Sequence, residues 1–118
     1  MLYIMRHGKT DWNAVHKLQG KTDVPLSGEG REMVEKAGRL YRDTHFDVCF
    51  CSPLIRARET AEIILRGRNI PIIEDVRLEE MGFGVCEGCT WIKTRTQSGR
   101  RKAGATRRRR ILWISAPP

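Results

Sequence analysis

An α/β fold, built on a mostly parallel sheet covered by helices, is what this 118-residue sequence predicts. Three observations carry that expectation. Short continuous apolar runs recur at 2–5, 46–51 and 70–73, as in buried strands. Two stretches with helical apolar spacing separate the runs, and the connections are long enough for crossovers between parallel strands. The first two runs stop abruptly at polar residues beside a glycine or a proline, and the carboxyl ends of strands are where α/β sheets carry their chemistry.

The first strand, Leu2-Tyr3-Ile4-Met5, gives way to Arg6-His7-Gly8. From Lys9 to Pro25 the periodicity is lost, and Gly20, Asp23 and Pro25 mark a long loop of the kind compact domains keep for function. Ser27 is placed to cap a helix in which Met33, Val34, Ala37, Leu40 and Tyr41 share one face, with Glu32, Glu35, Lys36 and Arg39 around them. The run from Phe46 to Cys51, interrupted by Asp47, predicts a second strand, and Pro53 suits the first turn of the helix that follows. That helix is expected from about Leu54 to Leu65, with Ala57, Ala61, Ile64 and Leu65 inward and Gly67 ending it. Ile70 to Ile73 is the third strand.

Length allows one domain at most. The net charge of +8 conceals an asymmetry: residues 1–89 hold 13 Lys/Arg against 14 Asp/Glu, whereas residues 90–118 hold nine Lys/Arg and no acid. With clusters at Arg100-Arg101-Lys102 and Arg107 to Arg110 and no sustained periodicity, residues 93–118 read as a basic, disordered tail. Charge runs usually stay solvated, so nucleic acid is not the expected partner, although nine unopposed cations would bind phosphate backbones nonspecifically. The five apolar residues Met1 to Met5 are too few for a signal peptide or a membrane span, so a cytoplasmic protein without a membrane partner is expected. Nothing in the sequence specifies an oligomeric state. Cys49, Cys51, Cys86 and Cys89 are expected as reduced core or surface thiols rather than a zinc site, with Cys49 and Cys51 on opposite faces of their strand.

Arg6-His7-Gly8 joins a neutral imidazole, competent as a nucleophile near pH 7, to a guanidinium fork that can bind two phosphate oxygens. The glycine lets a phosphate approach the backbone. Alone the tripeptide is weak evidence, since a histidine after a strand is usually structural. Its context is stronger: Arg6-His7-Gly8-Lys9-Thr10, Trp12-Asn13, Gln19-Gly20, Asp23-x-Pro25-Leu26-Ser27, Gly30, then Ser52-Pro53-Leu54-x-Arg56-Ala57-x-x-Thr60-Ala61. In that order and spacing the chain resembles the histidine phosphatase superfamily, including the cofactor-dependent phosphoglycerate mutases. The resemblance covers residues 1–92, the N-terminal part of such a domain, and implies a sheet with helices on both faces that is incomplete at the C-terminus.

The resemblance implies that His7 is the phosphorylated nucleophile, with Arg6 and Arg56 clamping the phosphoryl oxygens and Asn13 a further phosphate contact. Gln19 and Gly20 align with a substrate-contacting pair; the bland reading of Gln19 is a solvated loop residue. Arg56 falls just inside a helix whose free N–H groups already favour an anion; its bland reading is a solvated helix arginine. Leu78-Glu79-Glu80-Met81-x-Phe83-Gly84, followed by Glu87-Gly88, resembles the segment bearing the general acid, which puts Glu80 in that role and leaves Glu79 in solvent. A carboxylic acid serves there only if burial or nearby negative charge raises its pKa, and a bound phosphate dianion supplies such charge. Phosphoryl transfer by positioning and charge stabilisation implies neither a metal nor another cofactor.

The family's second catalytic histidine, a His-Gly after a later apolar run, has no counterpart here; His16 and His45 stand in other contexts and are expected at the surface. The loss of acids and periodicity after Trp91-Ile92 is what an altered reading frame produces; an encoding DNA with no in-frame His-Gly continuation in any frame would refute that origin. Three functions follow. The first is a hydrolase of small phosphate monoesters. The second is a phosphoglycerate mutase, and the third an inactive phosphate-binding fragment or pseudoenzyme. Thr10 and Gln19-Gly20-x-Thr22-Asp23 look more like the broad phosphatase branch than the glycolytic mutases, and favour the hydrolase.

Overall fold

The computed structural model describes residues 1–90 and the backbone of residues 112–115. Its elements are β1 (Leu2–Met5), α1 (Asp11–Ala14), α2 (Gly28–Leu40), β2 (Val48–Cys51), α3 (Ile55–Ile64), β3 (Ile72–Glu74) and β4 (Leu112–Ser115). Two single 3-10 turns, Val76–Leu78 and Gly84–Cys86, follow β3. The sheet order is β1-β4-β2-β3, with β2 and β3 parallel and β4 antiparallel to both β1 and β2. β1, β2 and β3 therefore run the same way, as the crossover connections through α2 and α3 require.

Each predicted strand and helix is present, with ends shifted by one or two residues. Phe46 lies before β2, buried, with the Tyr3 ring edge-on at 5.2 Å and the Arg68 guanidinium 4.9 Å over its face. Pro53 stands before the Leu54 cap of α3 and outside its first turn. β4 falls within the segment read as a basic tail; the remaining residues of that segment lie outside the described ones.

α2 and α3 pack together and cover one face of the sheet. Val34, Ala61, Ile64 and Leu65 meet Cys49, Cys51, Leu26 and Phe46 there, with Tyr3, Met5, Ala37 and Tyr41 at the margin. The alternate residues Leu2 and Ile4 are more than half exposed, as is required where period two sends neighbours to opposite faces and the described helices cover only one. Cys49 and Cys51 correct an expectation by the same rule: two apart, they share the buried face, and both are fully buried. Burial pushes their thiols up to about 12 and about 11, so both stay protonated, while Cys86 and Cys89 are exposed.

Ser27 caps α2, its Oγ accepting the Gly30 N–H at 3.0 Å. The buried stripe of α2 is narrower than its apolar pattern suggests. Met33 is 47% and Leu40 82% exposed, because contact runs along Gly30, Val34, Ala37 and Gly38, small residues that let the chain segments approach closely. A Cβ on Gly38 would stand 3.4 Å from the Ile64 Cα, and one on Gly8 would stand 2.6 Å from a Val34 methyl. The helix is thus drawn onto both α3 and the end of β1.

Candidate active site

β1 ends at Met5, and the chain turns through exposed Arg6 into buried His7. The His7 Nδ1 lies 2.6 Å from the Gly8 carbonyl oxygen. A carbonyl oxygen only accepts, so this contact sets the proton of a neutral ring on Nδ1 and the lone pair on Nε2. The Gly8 N–H donates to Thr60 Oγ1 at 3.0 Å, and the Thr60 hydroxyl donates to the Arg56 carbonyl at 2.7 Å. The His7 loop is thereby pinned to α3, the helix that carries Arg56.

Thr10 then opens α1 with a capping box: its N–H donates to Asn13 Oδ1 at 3.0 Å and its Oγ1 accepts the Asn13 N–H at 3.2 Å. The Thr10 hydroxyl lies 2.8 Å from Gln19 Oε1. Gln19 is therefore buried, which corrects the bland reading of a solvated loop residue, and its side-chain oxygen braces the loop from inside. The Asn13 oxygen is committed to the same brace. Its amide nitrogen, which only donates, is the group suited to an anion.

Arg56 is fully buried, which overturns the bland reading of a solvated helix arginine. Its Nη1 donates to the Thr22 carbonyl at 2.8 Å and its Nη2 to the Gly20 carbonyl at 2.7 Å, while the buried Nε has no hydrogen-bond partner. Gly20 has φ +54°, a left-handed conformation that suits glycine. Burial lowers the Arg56 pKa, the nearby charges of Asp23 and Glu87 raise it, and that of Arg6 lowers it further, so the two predicted clamp residues feel one another. A guanidinium remains charged in such a setting. The first turn of α3 lacks a cap from its own Leu54; the Asp23 carboxylate supplies one from the loop, accepting the Ile55 N–H at 2.7 Å.

Glu80 is half-buried on the connection between the two 3-10 turns. Glu79, expected in solvent, pairs with Lys21 Nζ at 3.4 Å and keeps only 23% of its side chain exposed. Glu87, to which the sequence reading gave no role, accepts the Lys21 and Phe83 N–H groups, each at 3.0 Å, through Oε1, and the Thr22 hydroxyl through Oε2. Those donors, the Thr22 hydroxyl foremost, hold its carboxyl down to about 2. Nothing but its position beside Gly88 in a recognisable segment could have marked it. His16 is exposed in a left-handed turn (φ 55°), and exposed His45 lies 3.4 Å from Asp47; both stand at the surface, as expected.

The sequence matches the family model of the histidine phosphatase superfamily (branch 1) over residues 2–112, a match that extends beyond the 92 residues whose motifs suggested it. Among curated relatives, the chain is 42% identical over 85 residues to "Uncharacterized phosphatase PhoE" of Bacillus subtilis, covering 72% of this chain and 44% of that protein. It is 38% identical over 120 residues to a 2,3-bisphosphoglycerate-dependent phosphoglycerate mutase of Cytophaga hutchinsonii, covering all of this chain and 55% of the mutase. Among solved structures, YhfR of Bacillus stearothermophilus superposes with a TM-score of 0.69 at 40% identity, over 73% of this chain and 43% of that one. The chain thus spans about half the length of these relatives. A family match over most of the sequence, a phosphoglycerate mutase-like arrangement of helices and parallel strands, and about 40% identity to relatives over nearly three quarters of the chain agree: the chain belongs to the histidine phosphatase superfamily.

Proposed function

We propose that this protein hydrolyses small phosphate monoesters through a phosphohistidine on His7. The observation that carries the reading is the His7 ring, buried at the end of β1 with Nδ1 held against the Gly8 carbonyl, which leaves Nε2 as the nucleophilic nitrogen. Two guanidinium groups close enough to repel support the clamp, since a bound phosphoryl dianion would relieve that repulsion. The unpartnered Arg56 Nε–H is a buried donor that a phosphoryl oxygen would satisfy. Asn13, through its amide nitrogen, and the Gln19-Gly20 pair complete the expected contacts.

In the first step His7 Nε2 attacks phosphorus, the P–O ester bond breaks, and the Glu80 carboxyl gives its proton to the leaving oxygen. In the second step water attacks the phosphohistidine, its proton passes to the Glu80 carboxylate, and phosphate leaves His7. On this reading Arg6 and Arg56 supply the positive charge that offsets the negative charge gathering on the equatorial oxygens, which is the main work of catalysis in such reactions. Thr10 and Gln19-Gly20-x-Thr22-Asp23 favour water as the acceptor over a second hydroxyl.

The test is hydrolysis of a generic aryl phosphate by the purified chain at mildly acidic to neutral pH, beside His7→Ala. Turnover by the wild-type chain that is lost in His7→Ala is expected. Turnover that persists in His7→Ala rejects the phosphohistidine route, and a folded but inert wild-type chain rejects the enzyme. Preferential transfer of the phosphoryl group to an added alcohol would favour the mutase chemistry.

A further inference from the structure

We propose that Glu87 is a positioning residue that couples the Arg56 clamp to the segment bearing Glu80, an inference that rests on the roles just given to Arg56 and Glu80. Three consecutive residues, Gly20, Lys21 and Thr22, lie between Arg56 and Glu87. Their carbonyls at Gly20 and Thr22 face Arg56, at 2.7 and 2.8 Å. Their donors, the Lys21 N–H and the Thr22 hydroxyl, face the Glu87 carboxylate. A short stretch of backbone is therefore held between a buried cation and an anion, with acceptors toward the first and donors toward the second. Each charge orders the dipoles that the other needs. The Glu87 charge is felt at Arg56, whose pKa it raises.

Gly20 shows how closely these groups are fitted. A Cβ there would stand 2.2 Å from Glu87 Oε1 and 2.9 Å from a Phe83 ring carbon, so the residue must be glycine for space as well as for its backbone conformation. Glu87 reaches in the other direction as well. Its Oε1 also takes the Phe83 N–H, three residues beyond Glu80, and the Lys21–Glu79 pair ties the same two segments one residue before Glu80. Backbone bonds from Gly88 N–H to the Leu18 carbonyl (2.8 Å) and from Leu18 N–H to the Cys89 carbonyl (3.1 Å) close the junction on its far side. One carboxylate thus sets where the arginine clamp sits and where the acid-bearing segment sits. With three donors already on its two oxygens, it holds rather than transfers protons.

The experiment uses the full chain, isotopically labelled, as wild type, Glu87→Ala and Glu87→Gln. Glu87→Gln keeps an oxygen for the Lys21 and Phe83 N–H groups and an amide that can donate to Thr22, so it is the conservative variant. In Glu87→Ala we expect the Lys21, Thr22 and Phe83 amide resonances and the Arg56 Nε–H resonance to move together while those of Val34 and Ala61 stay in place, with smaller shifts in Glu87→Gln. With an aryl phosphate, Glu87→Ala should lose on the order of tenfold in kcat and raise KM, and Glu87→Gln should recover most of both. An Arg56 Nε–H that stays in place while Lys21 and Phe83 move overturns the coupling, as do wild-type kinetics in Glu87→Ala. If Glu87→Ala does not fold, Glu87→Gln against wild type decides by the same resonances. If the wild-type chain neither binds phosphate nor turns over, the phosphatase reading fails, and the Arg56 resonance alone decides whether Glu87 positions it.

Discussion

Alanine in place of Gly30 is expected to unseat the loop that carries His7, whereas alanine in place of Gly28, two residues earlier in the same helix, is expected to do no harm. A Cβ on Gly30 would stand 2.0 Å from the Lys9 carbonyl oxygen and 2.9 Å from its carbonyl carbon, both backbone atoms. Ordinary contact begins near 3.4 Å, so either Lys9 or the first turn of α2 must retreat by about 1.4 Å, the difference between 3.4 and 2.0. Overpacking of this kind costs about 1–3 kcal/mol, against roughly 0.5–1 kcal/mol that alanine gains over glycine in a helix. A Cβ on Gly28 meets nothing within 4 Å, so only the gain applies there. The two variants should differ by about 1–3 kcal/mol in urea unfolding followed by tryptophan fluorescence, with an unchanged denaturant slope. Lys9 follows His7 by two residues and its carbonyl accepts the Ser27 N–H at 2.9 Å, so a shift there should also depress aryl phosphate hydrolysis, by up to about a hundredfold per ångström. Equal unfolding midpoints and equal activities for the two variants would refute this account of why α2 begins where it does.

Other expectations follow from the same contacts. Arg56→Met leaves the Gly20 and Thr22 carbonyls without their buried donors and should cost about 2–4 kcal/mol in chemical unfolding while weakening inorganic phosphate binding; a variant as stable as wild type would contradict the buried clamp. Glu87 is held at about 2, below the unfolded carboxyl value of roughly 4.3, so its contribution is present above the unfolded value and lost as pH falls toward 2. The Lys21 and Phe83 amide shifts should titrate with a midpoint near 2, and a midpoint at the ordinary carboxyl value would show that the three donors do not hold it. Alkylation of the folded chain at pH 8 should modify Cys86 and Cys89 and spare Cys49 and Cys51 until the protein is unfolded, as peptide mass analysis would reveal. Equal labelling of all four in the folded chain would mean that the sheet face under α2 and α3 is open.

Local features were the legible ones. Ser27 as a cap, the apolar strand runs and the helical spacing of the inward residues of α3 are patterns set within a few residues, and sequence spacing records such relations directly. The width of the buried stripe on α2 was not legible, because Met33 and Leu40 are as apolar as Val34 and only the close approach of Gly30 and Gly38 to their neighbours decides which side is covered. Asp23 illustrates the harder case: it caps a helix that begins 32 residues later, a relation that no local pattern carries. Glu87 is harder still, since two of its three partners lie 65 and 66 residues earlier and a glutamate before a glycine reads as surface. β4 itself had a signal that went unread, the apolar run Ile111-Leu112-Trp113-Ile114 directly after four arginines, but its antiparallel entry between β1 and β2 is a long-range pairing that no local pattern carries. The burial of Arg56 was not legible: the family resemblance implied a phosphate clamp and the helix start an anion site, and neither carries burial, which the Gly20 and Thr22 carbonyls 36 and 34 residues earlier make possible.

The central claim is that His7 accepts a phosphoryl group, and trapping that adduct tests it most directly. The chain would be mixed briefly with an aryl phosphate, quenched in alkali, which spares phosphoramidates, and mapped by tandem mass spectrometry. The account predicts an acid-labile phosphoryl group on His7 that is lost in His7→Ala; phosphate on another residue, or turnover with no adduct at His7, would contradict it.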